Sequence, residues 1–318
     1  MKENIINDLC TLLAYNVIGD KQFKNRFNGF IGELDFIEYF KLKHGSNIFF
    51  NGGMLIPTQK GNNPFDEAIY FTTSSDEPEL YIDLFNRFTF IQCKSMFFIK
   101  WDKNNALEYW NRSDFMGVGK DLLVPELIIY QFLDGKFVES NLIIFLSQFT
   151  DTIWNPKDNV PLKIKSEFSD ILMRFDIHSL TDLYVQRYVF DGLLGLKKVR
   201  GIPCDFDLII KSHKTNDFII FEVKEKDLSK RPPIGFGMDV PRVLFYKELI
   251  NKIGCSVFYV VRQIENQLTR KFMSWRIIDM QSFTKNCKKV SVEGGTGMRS
   301  VNSNNPTWIC EDSYFNRL

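Results

Sequence analysis

The stretch IPCDFDLIIKSHKTNDFIIFEVKEKD, from Ile202 to Asp227, constrains the fold more than any other part of this chain. It holds two apolar runs of strand length, LII and FIIF, separated by a polar segment rich in turn formers, the signature of a β-hairpin. Side chains alternate between faces with period two along a strand. Asp205 and Asp207 therefore share one face, and Glu222, Lys224 and Lys226 share one face of the partner. Asp207 and Glu222 lie fifteen residues apart, enough for the rest of one strand, a turn and a return, so the acids can meet across the pair. The apolar runs read as buried on both faces, which puts the charges where a central strand of an α/β sheet leaves the core. The alternation of Glu and Lys in EVKEKD fits equally well the wet side of an edge strand, with ion pairs of small energetic consequence.

With 318 residues, 44% of them hydrophobic, the chain is long enough for two domains. Forty basic residues against thirty-nine acidic give a net charge of +1, which excludes a global field drawing the protein to polyanions and leaves only local patches. Thirty-one Phe point to large aromatic cores, with the remainder free to stack on bases. Cys10, Cys93, Cys204, Cys255, Cys287 and Cys310 form no CxxC pair, and His44, His178 and His213 add no ligand spacing, so a zinc site is not expected. The first residues lack a signal-peptide core and no run of about 18 apolar residues occurs, so the expectation is a cytoplasmic protein with reduced thiols and no membrane partner.

An opening helix over about residues 3–15 is followed by GFIGELDFIEYFKLKHG, where Phe30, Leu34, Ile37 and Phe40 recur at helical spacing and Gly45 closes the helix. SNIFFNGGMLIP, FDEAIYFTT, RFTFIQCKSMFFI, VPELIIYQF and SNLIIFLSQF read as strands. The stretch Asp151 to Lys165, with Trp154, two prolines and mixed charge, predicts a domain boundary. Beyond it come a helix in SLTDLYVQRYVFDGLLG, the hairpin, a helix in DVPRVLFYKELINKIG ended by Gly254, and the buried strand CSVFYVVRQ. The division expected is residues 1–155, 156–290, and an irregular Gly/Ser/Asn-rich tail over 291–318. In the tail, EGGTGMRS lacks the Gly-Lys-Ser/Thr ending of a phosphate-binding loop. Both halves share a theme of helix, a strand opening with Pro and Asp (PFDEAIYF, PCDFDLII), and a strand ending in acid or amide, one residue, and Lys (FIQCKS, IFEVKE), which reads as a diverged internal duplication.

Two carboxylates on adjacent strands offer hard oxygen ligands suited to Mg²⁺, with Mn²⁺ as a substitute, and such an ion can activate a water and stabilise charge on a phosphate. Lys224, on the same face, could orient that water or offset transition-state charge. The basic clusters KEKDLSKRPP, with Lys226, Lys230 and Arg231, and KKVR (Lys197 to Arg200) are candidate phosphate contacts or solvated surface.

DFDLII followed by IIFEVK resembles the PD-(D/E)xK (restriction-endonuclease-like) nuclease superfamily over about Ser179 to Val261. That resemblance implies an α/β fold of two αβββαβ cores in tandem, each a mixed central sheet flanked by helices. It implies Asp207 as metal-ligand acid with Asp205 as second choice, Glu222 as second ligand, the Val223 carbonyl as a further one, and Lys224 as the catalytic lysine. On the helix after the hairpin, Arg242, Tyr246 and Lys247 become candidates to face the substrate. The first half is similar to the Mrr-like branch with Gln in place of the acid, over roughly Gly29 to Phe145, which implies Glu33, Asp66, Gln92 and Lys94 as its site. There the twenty-six residues from Asp66 to Gln92 make a long loop and Glu67 competes with Asp66, so a degenerate copy fits as well. The implied function is Mg²⁺-dependent endonuclease cleavage of DNA, in restriction or anti-phage defence, by a homodimer or within a larger defence complex. The alternatives are a junction-resolving nuclease and a nucleic-acid-binding or assembly protein with an inactive core.

Overall fold

The computed structural model describes residues 2–15, 17, 19–58, 64–103, 109–149, 160–195, 203–292 and 305–318. Its elements in chain order are α1 (Lys2–Ala14), α2 (Asp20–His44), β1 (Ile48–Asn51), β2 (Met54–Ile56), β3 (Ile69–Ser74), α3 (Ile82–Phe88), β4 (Ser95–Trp101), β5 (Arg112–Ser113), β6 (Leu122–Leu123), β7 (Leu127–Leu133), β8 (Lys136–Ser140) and α4 (Leu142–Ser147). Then follow α5 (Leu162–Leu172), α6 (Ile177–Arg187), β9 (Cys204–Asp205), β10 (Leu208–Lys211), β11 (Phe218–Lys226), β12 (Gly235–Asp239), α7 (Val240–Ile253), β13 (Ser256–Ile264), β14 (Phe272–Asp279), α8 (Met280–Asn286), β15 (Lys288–Val292), β16 (Asn305–Glu311) and β17 (Asn316–Arg317). The chain is mixed α/β, and among the described residues no helix is long and apolar enough to cross a membrane.

Two compact units emerge, and they do not follow a single cut near residue 155. Unit 1 is Met1–Phe27 with Gly53–Asp205, and unit 2 is Asn28–Gly52 with Phe206–Leu318. In sequence, residues 53–205 separate two strands of unit 2 that are neighbours in its sheet, since β1 pairs with β10 through Asn51↔Leu208. The expected single strand IFFNGGMLI divides at its glycines, with β1 in one sheet and β2 in the other. Glycine is required there, because a Cβ on Gly52 would lie 1.8 Å from the Phe206 carbonyl oxygen.

The sheet of unit 2 runs β1-β10-β11-β13-β14-β17. All neighbours are antiparallel except β11 and β13, which run parallel and are joined through α7. The β10–β11 turn closes through Asn216 in the left-handed conformation, its N–H donating to the Ser212 carbonyl at 2.8 Å. Pro241 stands in the first turn of α7 and Gly254, at φ 61°, caps its end. One sheet face carries Leu208, Ile210, Phe221, Val223, Val260 and Trp275, packed against Phe36 and Phe40 one turn apart on α2. Phe36 meets Phe221 at 5.5 Å and Trp275 at 5.3 Å between ring centroids, so the high Phe content is spent on core here. The opposite face of β11 presents Glu222, Lys224 and Lys226 on the α7 side.

The sheet of unit 1 runs β9-β2-β3-β4-β7-β8 and repeats that pattern: the parallel pair is β3 and β4, joined through α3, and every other pair is antiparallel. The registers also agree. Leu208↔Phe221 with Ile219↔Ser256 in unit 2 answers Met54↔Phe71 with Ile69↔Ser95 in unit 1. On this alignment Gly53 stands for Asp207, Thr72 for Glu222 and Ser74 for Lys224.

Several local expectations differ from what is found. RFTFIQCKSMFFI is not one strand: α3 ends at Phe88, a 3-10 turn covers residues 89–91, Gln92 takes φ 64°, and β4 begins only at Ser95. LIIFLS is helical because Asn141 caps it, its side-chain oxygen accepting the Ile144 N–H at 2.9 Å. The tail is not wholly irregular, since β16 pairs with both β12 and β15, and β17 extends the main sheet. Residues 150–159, most of the expected boundary, lie outside the described residues, as do KKVR and EGGTGMRS.

Candidate active site

Asp207 immediately precedes β10, and Glu222 and Lys224 lie on one face of β11. β11 has neighbours on both sides, so the wet-edge reading does not apply to Glu222, whose side chain is 0% exposed. Asp207 is equally enclosed, while Lys224 is 33% exposed and forms the outer surface of the group. Lys224 Nζ lies 2.8 Å from Glu222 Oε1 and 3.6 Å from Asp207 Oδ2, so a single ammonium joins the two carboxylates. Asp207 Oδ2 also accepts the Val223 backbone N–H at 2.6 Å, which ties the acid to the strand bearing Glu222.

Helix α7 contributes two further contacts, one turn apart. Arg242 Nε lies 3.4 Å from Glu222 Oε1, and the Tyr246 hydroxyl donates to Glu222 Oε2. Tyr246 is fully buried, so it supports the carboxylate rather than facing a substrate. Burial, and next the Glu222 charge beside it, hold the Tyr246 phenol well above its ordinary pKa. Lys226, half-buried two residues beyond Lys224, has its ammonium pKa pushed down by burial, against the opposing pull of Asp239. Lys230, Arg231 and Lys247 are exposed.

Other candidates stand elsewhere. Asp205 lies in β9, opposite Met54 in the unit 1 sheet, and so does not share a strand with Asp207. Val223, whose carbonyl was the further ligand expected, turns its side chain into the α2-side core and keeps its backbone beside Asp207 through its N–H. Glu33 is half-buried on α2, the helix that covers the other sheet face. Its neighbour Asp35 pairs with Arg262 at 3.0 Å, and Arg262 reaches Glu225 at 2.6 Å, so the second acid of EVKEKD belongs to a separate ionic cluster. In unit 1, Asp66 is exposed in a turn, Gln92 is exposed in the left-handed conformation, and Lys94 lies 3.9 Å from Glu67 with both side chains about half exposed. Lys94 leads into β4, which corresponds to β13, and is therefore not the counterpart of Lys224.

Tyr259 was not foreseen. It is fully buried opposite Glu222 in the β11–β13 register and donates to the Gly237 carbonyl at 2.9 Å. A lone Tyr inside CSVFYVVRQ gives no sign of this, because the pairing of two distant strands is invisible in either one.

Among the described residues no group of three or more His, Cys, Asp or Glu side chains could hold a metal ion. Asp207 and Glu222 are a two-carboxylate set, and Mg²⁺ is often held by one or two carboxylates, waters and substrate phosphate. The residues fit such an ion by donor type, once Lys224 turns aside. No family model, curated protein or solved structure matches this chain.

Proposed function

We propose that unit 2 is a metal-dependent nuclease of the PD-(D/E)xK type, hydrolysing phosphodiester bonds in DNA. One observation carries this reading: Asp207, Glu222 and Lys224 meet within ion-pair distance at the end of a central strand. The element order α2-β1-β10-β11-α7-β13 supports it, being the αβββαβ order that the sequence resemblance implies. A bound Mg²⁺ would supply charge neutralisation at the phosphate and a more acidic water. Asp207 and Glu222 would hold it. Lys224 would contribute its positive charge to the attacking water or to the oxygens of the phosphate as charge builds there. Tyr246 would fix the orientation of Glu222 through Oε2, leaving Oε1 on the side of Lys224 and Arg242.

Unit 1 supports a narrower role. Its matching sheet carries Gly53, Thr72 and Ser74 where unit 2 carries the acids and the lysine, a set with no carboxylate for a metal. We assign it to binding or architecture, as a silent second core.

The test is incubation of the purified protein with supercoiled plasmid, linear duplex and single-stranded DNA in Mg²⁺, Mn²⁺ or EDTA. Cleavage that requires the divalent ion and is lost in Glu222→Gln supports the reading. Absence of cleavage on every substrate, or cleavage that survives EDTA, refutes it and leaves the nucleic-acid-binding protein with an inactive core.

A further inference from the structure

Asp207 and Glu222 already face cations supplied by the protein. Glu222 Oε1 is shared by Lys224 Nζ at 2.8 Å and Arg242 Nε at 3.4 Å, and its Oε2 accepts from Tyr246. Asp207 Oδ2 takes the Val223 N–H at 2.6 Å and faces the same Lys224 at 3.6 Å. The two cations paired with these enclosed anions, Lys224 and Arg242, have side chains that remain 33% and 21% exposed. A divalent ion entering here meets two obstacles. Glu222 Oε1 is already paired with Lys224 and Arg242, and the ion's charge adds to these positive charges a few ångström away, at a site where burial strengthens every electrostatic interaction.

Lys224 and Arg242 are the outer members of the cluster, on long stems that can turn toward solvent. A phosphate arriving from outside offers both a stronger anionic partner. Arg242 in particular matches phosphate through its planar fork of donors. Once they pair with the phosphate, Glu222 Oε1 and Asp207 Oδ2 are left undercompensated, which is the state that favours a divalent ion.

We propose that metal binding in unit 2 is gated by nucleic acid: the backbone phosphate draws Lys224 and Arg242 off the carboxylates, so the metal binds weakly to the free protein and tightly to the complex. This rests on the nuclease reading and specifies its regulation. It also has a reciprocal consequence, because any factor by which the duplex tightens the metal must be the factor by which the metal tightens the duplex.

Mn²⁺ is the probe, its binding followed by calorimetry and by loss of the free-ion paramagnetic signal. The measurement is made on the full chain with and without a short phosphorothioate duplex that resists hydrolysis. Duplex binding is monitored separately by anisotropy. For the wild-type protein the duplex should tighten Mn²⁺ by at least about fivefold, the lower end of ordinary coupling. Arg242→Gln and Lys224→Gln should each tighten Mn²⁺ binding to the free protein and bring the coupling factor toward one. Equal Mn²⁺ affinity with and without bound duplex, or variants that bind the free ion no tighter than wild type, would overturn the gate. Glu222→Gln separates the two levels: if it leaves Mn²⁺ binding undiminished, or if no duplex binds at all, the nuclease reading itself fails. If Glu222→Gln weakens the ion but the duplex has no effect, only the gate is lost.

Discussion

Tyr246 donates its hydroxyl to Glu222 Oε2 from one turn beyond Arg242, in a site where both the phenol and the carboxylate are fully buried. A hydrogen bond to a charged acceptor contributes about 1.5–3 kcal/mol, more than one between neutral groups. Tyr246→Phe should therefore lower the unfolding free energy by about that amount, read from urea denaturation. The removed group is one oxygen from a tightly packed ring, so the secondary structure should be unchanged by circular dichroism. No loss of stability would mean that Glu222 does not depend on this donor.

Burial also raises the phenol pKa of Tyr70, Tyr184 and Tyr259, and pushes Tyr188 up to about 12. In the unfolded chain these groups ionise near pH 10. Below that value both states hold the proton, and the stability linked to it is fully present. As pH rises above about 10, only the unfolded chain releases protons, so stability falls until the folded pKa is passed. Alkaline titration should show a fraction of the eleven tyrosines ionising only as the protein unfolds, followed by tyrosinate absorbance alongside circular dichroism. Tyr246→Phe should flatten the alkaline limb of the stability curve.

Phe36 is fully buried against Phe40, Phe221 and Trp275 and fastens α2 to the unit 2 sheet. Replacement by Ala removes a ring that its neighbours cannot readily replace. The expected cost is about 3–5 kcal/mol, enough to halve or abolish the stability of an ordinary domain. Thermal unfolding of Phe36→Ala checks it, with the exposed Leu42→Ala on the same helix as the control that should change little.

Gly53 tests the silent core from the side of structure. At φ 79° it occupies a region other residues resist, and a Cβ there would lie 2.3 Å from the Phe71 carbonyl oxygen. Gly53→Ala should destabilise the protein by more than about 1 kcal/mol, measured by denaturant midpoint. A neutral Gly53→Ala would show that the backbone can accept a side chain where unit 2 has Asp207.

The hairpin was legible because its information is local: fifteen residues join Asp207 to Glu222, and alternation along β11 fixes which side chains share a face. The nesting was not legible, because Asn51 and Leu208 are paired across the larger segment of unit 1 and neither carries a mark of the other. In unit 1 the single strand expected to carry Gln92 and Lys94 is absent among the described residues for a different reason. RFTFIQCKSMFFI is rich in apolar residues on both sides of QCKS, so the end of one helix and the start of a strand read as one run, with the turn at QCKS mistaken for part of it. Roles within the site followed the same division. That Glu222 is an acid among apolar neighbours is visible in sequence, whereas its fixation by Tyr246 depends on how α7 lies over the sheet.

The two halves make opposite predictions for cleavage by lysine variants. Lys224 contacts both carboxylates and is proposed to act on the attacking water or on charge building at the phosphate, so Lys224→Ala should slow Mg²⁺-dependent cleavage by about 10²–10³-fold, the usual cost of losing one such stabilising group. Its removal takes a competing cation from Glu222, so Mn²⁺ binding should persist, which distinguishes it from Glu222→Gln, where a ligand charge is lost and the ion should bind more weakly. Among the described residues Lys94 pairs with an exposed Glu67 at 3.9 Å, and unit 1 has Gly53, Thr72 and Ser74, with no acid, at the positions corresponding to Asp207, Glu222 and Lys224. Lys94→Ala and Gln92→Ala should therefore cleave at the wild-type rate. All four proteins are to be compared on one supercoiled plasmid under single-turnover conditions, with folding checked by circular dichroism. Full activity in Lys224→Ala together with loss in Lys94→Ala would move the chemistry to unit 1 and reverse the assignment.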